Sequence, residues 1–124
     1  RRLTFTQAGH PEGYVLRPST KEVISLSSVG SLVGAFSNEK MAFEESHLQL
    51  EVGDKLLLYT DAILEVRDQK GRMMPQEQFF SFLVDHCDLA VDELLLRIKA
   101  FGLDYNGSMN FRDDFTLIGM EVSA

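Results

Sequence analysis

Apolar and polar positions alternate through the first 26 residues, near the middle of the chain and at its end, and repeat at helical spacing in between. Leu3-Thr4-Phe5-Thr6 alternates, the run from Ala8 through Gly9, His10, Pro11 and Glu12 to Gly13 breaks the pattern, and Tyr14-Val15-Leu16 resumes it. That arrangement predicts a hairpin. A second turn over 17–21 and an apolar run over 22–26 predict a third strand, so three sequential antiparallel strands are expected. Residues 27–38, with Gly30 and Gly34 among small side chains, read as an irregular loop. Alternation returns over 41–50, and Glu51-Val52-Gly53-Asp54 forms a turn into 55–60. That run is apolar on both faces, as a central strand covered on both sides would be.

Helical periodicity follows. Pro75 suits the first position of a helix that places Phe79, Phe80, Leu83, Val84 and Cys87 on one face. Val91, Leu94, Leu95, Ile98 and Phe101 define a second helix, with Asp92 and Glu93 near its positive end and Arg97 and Lys99 near the other. Gly102 is the expected C-terminal cap. A polar loop over 103–112 then leads to Asp113-Asp114 and a final strand over 115–122. Strands, two helices and a last strand predict an α+β fold, a mostly antiparallel sheet with both helices packed on one face. With no internal repeat and no Gly/Ser/Pro-rich linker, the 124 residues read as one unit.

Composition narrows the function. The chain is 44% hydrophobic and 25% charged, which suits a globular domain rather than a disordered tail. Twelve Lys and Arg against 19 Asp and Glu leave a net charge of −7, so no nucleic-acid partner is expected. The longest apolar runs, such as Leu56-Leu57-Leu58, fall far short of the ~20 residues of a membrane span. No membrane partner is expected. A single cysteine, Cys87, excludes an internal disulfide and fits a reducing cytoplasm. The chain opens on Arg1 rather than Met, which suggests a portion of something longer.

Two acidic positions stand apart from this background because each adjoins an apolar strand. Asp61 closes 55–60, and Asp113-Asp114 opens 115–122. If these strands are antiparallel neighbours, the carboxylates converge at one sheet edge, where a cation would relieve their repulsion. Oxygen-only ligands with water in the remaining positions suit Mg²⁺ or Mn²⁺. The competing reading is ordinary turn chemistry, with each Asp bonding to nearby backbone N–H groups.

The ordered series Leu3-Thr4-Phe5, Ala8-Gly9-His10-Pro11, Leu48, Val52 through Asp61, Glu65, Gly71 and Asp113-Asp114-Phe115-Thr116-Leu117 resembles the metal-dependent protein serine/threonine phosphatases. Within them it is most similar to the bacterial branch that includes the stage II sporulation phosphatase SpoIIE and the stress-response phosphatase RsbU. The resemblance implies that residues 1–124 are the C-terminal portion of a single phosphatase domain, an α/β/β/α sandwich with two Mn²⁺ or Mg²⁺ ions in the complete domain. It further implies hydrolysis of phosphoserine or phosphothreonine on a regulatory partner protein, such as an anti-sigma-factor antagonist, by metal-activated water. Asp61 and Asp113 match metal ligands, and Asp114 is the neighbouring or alternative ligand; no residue is assigned as catalytic.

Three features depart from the pattern. The first-half Asp-Gly and Gly-His-Gly segments have no counterpart, Ala62 stands where the family usually has Gly, and Met73-Met74-Pro75 replaces Phe-Gly. The alternative from a different class is therefore a non-catalytic, phosphatase-like interaction module. A homodimer through an unpaired sheet edge is also expected.

The other candidate residues read as structural. His10 is expected to bond to backbone within its turn, and His47 and His86 to be surface or cap residues. Cys87 is expected to act as a small buried hydrophobe. Glu65 matches an acidic family position, or pairs with Arg67. The Gly30–Gly34 loop lacks the Gly-x-x-x-x-Gly-Lys arrangement of a phosphate cradle, and the Phe79/Phe80 stripe reads as core.

Overall fold

The computed structural model describes residues 1–35, 37 and 42–124. The end of the glycine-containing loop, at Phe36 and Asn38, and the expected start of the next strand, at Met41, lie outside the described residues. Six strands and two helices follow in the order β1 (Arg2–Phe5), β2 (Gly13–Arg17), β3 (Glu22–Leu26), β4 (Ser46–Gln49), β5 (Lys55–Tyr59), α1 (Gln76–Asp85), α2 (Val91–Asn106) and β6 (Leu117–Glu121). Strands β3-β2-β5-β6 form one antiparallel sheet in that order, and β1-β4 form a second. The α+β class and antiparallel sheets agree with the sequence pattern.

The first hairpin is different from the expected one. β1 pairs with β4, bringing Leu3 opposite Leu48, while β2 pairs with β3 on one side and β5 on the other. The reason is burial: Gly13, Tyr14, Val15 and Leu16 of β2 are all buried, so the strand needs covered faces and partners on both edges. β1 and β4 are half-buried only at alternate positions, the pattern of a two-stranded ribbon with one covered face.

Both helices cover the sheet face formed by Tyr14, Leu16, Leu57, Tyr59 and Leu117. Phe79, Leu83 and Cys87, together with Leu94 and Ile98 from α2, complete this core. Phe79 meets Tyr59 edge-on at 5.8 Å, and Tyr59 stacks on Tyr14 at 5.7 Å. Phe80, expected in the core, is partly exposed. Successive helical residues differ by ~100° in direction, so Phe79 and Phe80 cannot share one narrow core face. On the opposite sheet face Leu56 and Leu58 border a groove with Leu3 and Phe5 of β1, which places the small sheet against the large one.

Two basic side chains, Arg17 and Lys55, fasten the layers. Arg17 Nη2 donates to Asp54 Oδ2 at 2.8 Å and to Gln49 O at 2.8 Å, tying β2, the turn before β5 and the end of β4. Lys55 is buried, and its Nζ donates to Cys87 O just beyond α1 at 3.1 Å. Carbonyls at a helix C-terminus carry partial negative charge and suit an ammonium. The α2 helix runs past Gly102 to Asn106, where Gly107 adopts the left-handed conformation (φ 66°) that ends it. The expected cap at Gly102 is thus five residues early, because that glycine serves packing instead. A Cβ there would approach Ile63 Cδ1 to 2.7 Å and Phe111 Cε1 to 2.9 Å.

Candidate functional site

The sheet register assembles one end of the molecule. Tyr59 of β5 pairs with Leu117 of β6, so the chain leaving β5 at Thr60 lies beside the chain entering β6 at Thr116. Tyr14 of β2 pairs with Leu57, which brings the turn before β2 to the same end. Asp61, Asp113 and His10 therefore sit on three loops that open at one sheet end.

Thr60 fastens two of these loops. Its N–H donates to Thr116 O at 3.1 Å, its hydroxyl donates to Asp114 O at 3.1 Å, and the same hydroxyl oxygen accepts the Thr116 N–H at 3.1 Å. Sequence reading passed over Thr60; the available signal was a short β-branched hydroxyl immediately before the strand-end Asp. Tyr59 holds the third loop through its hydroxyl, which donates to Glu12 O at 2.6 Å. Burial, then the Tyr14 hydroxyl beside it, pushes the Tyr59 pKa far above its usual value, so it stays a donor.

Each carboxylate has a defined setting. Asp61 begins a single 3-10 turn, Asp61–Ile63, and its backbone carbonyl accepts the N–H groups of Leu64 and Glu65 at 2.8 and 2.9 Å. Its side chain is exposed, as are those of Asp113 and Asp114. Asp113 Oδ1 accepts the Asp114 N–H at 2.7 Å, which turns the carboxylate toward its own loop. Ala62, which stands where the sequence pattern of the resembling family has glycine, lies in the right-handed turn with no positive φ, and its methyl is buried. The backbone thus makes no demand there that alanine cannot meet.

Beneath Asp113 opens a cleft of about 320 Å³ lined by Ala62, Glu65, Val66, Arg67, Asn106, Phe111, Arg112 and Asp113. Phe111 and Phe115 stack face to face at 3.9 Å and hold the segment between them, which carries Arg112, Asp113 and Asp114. Glu65, expected to match a family position or pair with Arg67, lines this cleft; among the described residues it forms no ion pair with Arg67. Arg67 Nη1 instead donates to Gly71 O at 2.9 Å. Asn106, Phe111 and Arg112 were invisible as site residues in the sequence, since the end of α2 and the loop before β6 meet the 62–67 segment only in the folded chain.

The histidines behave as turn, surface and cap groups. His10 Nδ1 bonds to Pro11 O at 2.7 Å and lines a small recess with Thr60 and Thr116. His47 bonds to Thr4 Oγ1 across the small sheet at 3.0 Å, and His86 bonds back to Phe82 O at 2.8 Å. Cys87 is buried, and burial pushes its thiol pKa up, so it acts as a small apolar group.

The carboxylates of Asp61 and Asp113 are hard oxygen donors of the kind Mg²⁺ and Mn²⁺ take, carried on two loops at one sheet end. Their number is small: among the described residues no three His, Cys, Asp or Glu side chains form a group able to hold a metal. Also among the described residues, no helix is long and apolar enough to cross a membrane.

The family model described as Stage II sporulation protein E (SpoIIE) matches residues 1–123. The phosphoserine phosphatase RsbU of Bacillus subtilis (strain 168) is 23% identical over 116 residues, covering 94% of this chain and 33% of RsbU. The SiaA-PP2C domain of Pseudomonas aeruginosa superposes with a TM-score of 0.80 at 22% identity, over 99% of this chain and 47% of that one. A Mn-presoaked structure of the phosphatase domain of SpoIIE from Bacillus subtilis superposes with a TM-score of 0.67 at 16% identity, over 98% and 51%. The chain thus spans about a third of the curated relative and about half of the solved domains.

Proposed function

The chain belongs to the SpoIIE family, and on that premise we propose that residues 1–124 are the C-terminal portion of a metal-dependent serine/threonine phosphatase domain. The substrate is a phosphorylated regulatory protein, with an anti-sigma-factor antagonist as the leading candidate. Family membership, the phosphoserine phosphatase named among its relatives and coverage of about half of the solved phosphatase domains support this reading. The single observation that carries it is the β5–β6 register, which brings the loops that carry Asp61 and Asp113 to one end of the sheet.

Asp61 and Asp113 would hold the cation, with Asp114 as the neighbouring alternative. The Mn-presoaked relative supports manganese as the ion, and two ions are proposed for the complete domain. When bound, Mn²⁺ or Mg²⁺ supplies Lewis acidity that lowers the pKa of water and offsets phosphoryl charge. The chain's own part is positional. Thr60 locks the two strand ends so that the carboxylates keep their separation, and the Phe111–Phe115 stack holds the Asp113 loop against α2. Preorganisation of this kind matters because misplacement of ~1 Å can cost ~100-fold in rate.

The test is phosphate release from a phosphoserine protein by the full-length protein with and without Mn²⁺. Release that depends on the metal and falls by at least about a thousandfold (~4 kcal/mol) in Asp61→Asn is expected. Partner binding that persists without metal, with no release under any metal, would assign the chain to the non-catalytic interaction class instead.

A further inference from the structure

The cleft below Asp113 is not accounted for by metal binding. Of the three candidate carboxylates only Asp113 borders it; Asp61 and Asp114 do not. A cleft that borders one candidate ligand is placed to receive a group lying next to whatever that ligand holds. Its walls are apolar at Ala62, Val66 and Phe111, and two guanidiniums, Arg67 and Arg112, stand among them. Neither arginine forms an ion pair among the described residues, although Glu65 and Asp113 line the same space. Arg67 is held in place by its bond to Gly71 O, which uses one Nη1 proton and leaves its other donors available.

Charge decides what fits. With Asp113 committed to a cation, the cleft carries two guanidiniums against one carboxylate, a local positive excess on a chain of net charge −7. Guanidinium forks match planar carboxylates, and both arginines are exposed to solvent where a substrate side chain can reach them. We propose that this cleft is a specificity subsite in which Arg67 and Arg112 take an acidic side chain close to the phosphorylated residue of the protein substrate. The proposal rests on the phosphatase reading for the identity of the substrate and, through the metal role of Asp113, for the positive excess of the cleft.

The experiment uses the full-length protein and phosphoserine peptides that differ only in carrying Glu or Gln at each of the three positions on either side of the phosphoserine. The wild-type protein is expected to favour Glu in kcat/KM at one or more positions by about fivefold, as an accessible ion pair of ~1 kcal/mol would give. In Arg112→Ala that ratio falls toward one, and in Arg112→Glu it falls below one in favour of the Gln peptide. A merely structural arginine would move all peptides together and leave the ratio intact. Binding of the same peptides with a non-hydrolysable phosphonate in place of phosphate, read by fluorescence anisotropy, supplies the same ratios without turnover. No Glu preference in binding overturns the subsite. Glu preference in binding with no hydrolysis of any peptide overturns only the phosphatase reading.

Discussion

Asp54 has 1% of its surface exposed yet keeps its charge, and the reason lies in its partners. Burial by itself raises the carboxyl pKa. The Arg17 hydrogen bond, the Glu51 N–H at 2.9 Å and the charges of Arg17 and Lys55 together outweigh burial and hold it below the ordinary carboxylate value. The folded chain thus binds this proton more weakly than the unfolded chain does. The stabilisation is complete above about pH 4 and is lost as pH falls through the lowered folded value. Asp54→Ala is expected to cost about 3 kcal/mol at pH 7, because it strands a largely buried guanidinium between the two sheets. Urea unfolding at pH 7 and pH 3 checks both claims: the gap between wild type and variant should be smaller at the second than at the first. The Gly-Asp pair that helped mark the family in the sequence is therefore a fastening between layers. Sequence pattern could show that Asp54 occupies a turn, but only packing shows that Arg17, 37 positions away, closes over it.

At the scale of elements, α2 and the loop after it set the geometry of the Asp113 segment. Gly102 lies inside the helix, where alanine would ordinarily gain about 1 kcal/mol of helix propensity. Its missing side chain instead admits Ile63 from the turn that Asp61 begins, and Phe111 from the loop that carries Asp113. One glycine therefore bears on both candidate ligands. Gly102→Ala should lose about 1–2 kcal/mol net, since overpacking exceeds the propensity gain. Thermal unfolding would measure that loss, and Mn²⁺ titration calorimetry should show weaker binding as the Phe111–Phe115 stack shifts. Helical periodicity was legible because Leu94 and Ile98 recur on one face. The role of Gly102 was not, since a glycine near a helix end reads as a cap until the chain that approaches it is seen.

For the whole molecule, the large sheet is helix-covered on one side only. β6 is an edge strand among the described residues, and Ile118 and Met120, on the face away from the helices, are each about half exposed (50% and 51%). Unpaired edges with apolar flanks associate. The 124-residue chain on its own is expected to sediment as a dimer or larger species, and the double substitution Ile118→Lys with Met120→Lys to shift it toward monomer; a wild-type chain that stays monomeric at high concentration would contradict this. The sequence by itself determined the α+β class, both helices and the apolar strands, because alternation and helical periodicity are local properties of neighbouring residues; the last strand, expected over 115–122, begins only at Leu117, so Asp113 lies in the loop before it. Only the tertiary structure decided that β1 leaves β2 for β4, that Thr60 locks the two carboxylate loops and that Arg67, Asn106 and Arg112 share one cleft. Those contacts join residues up to 56 positions apart, and which distant partners meet is set by competition for burial across the whole chain.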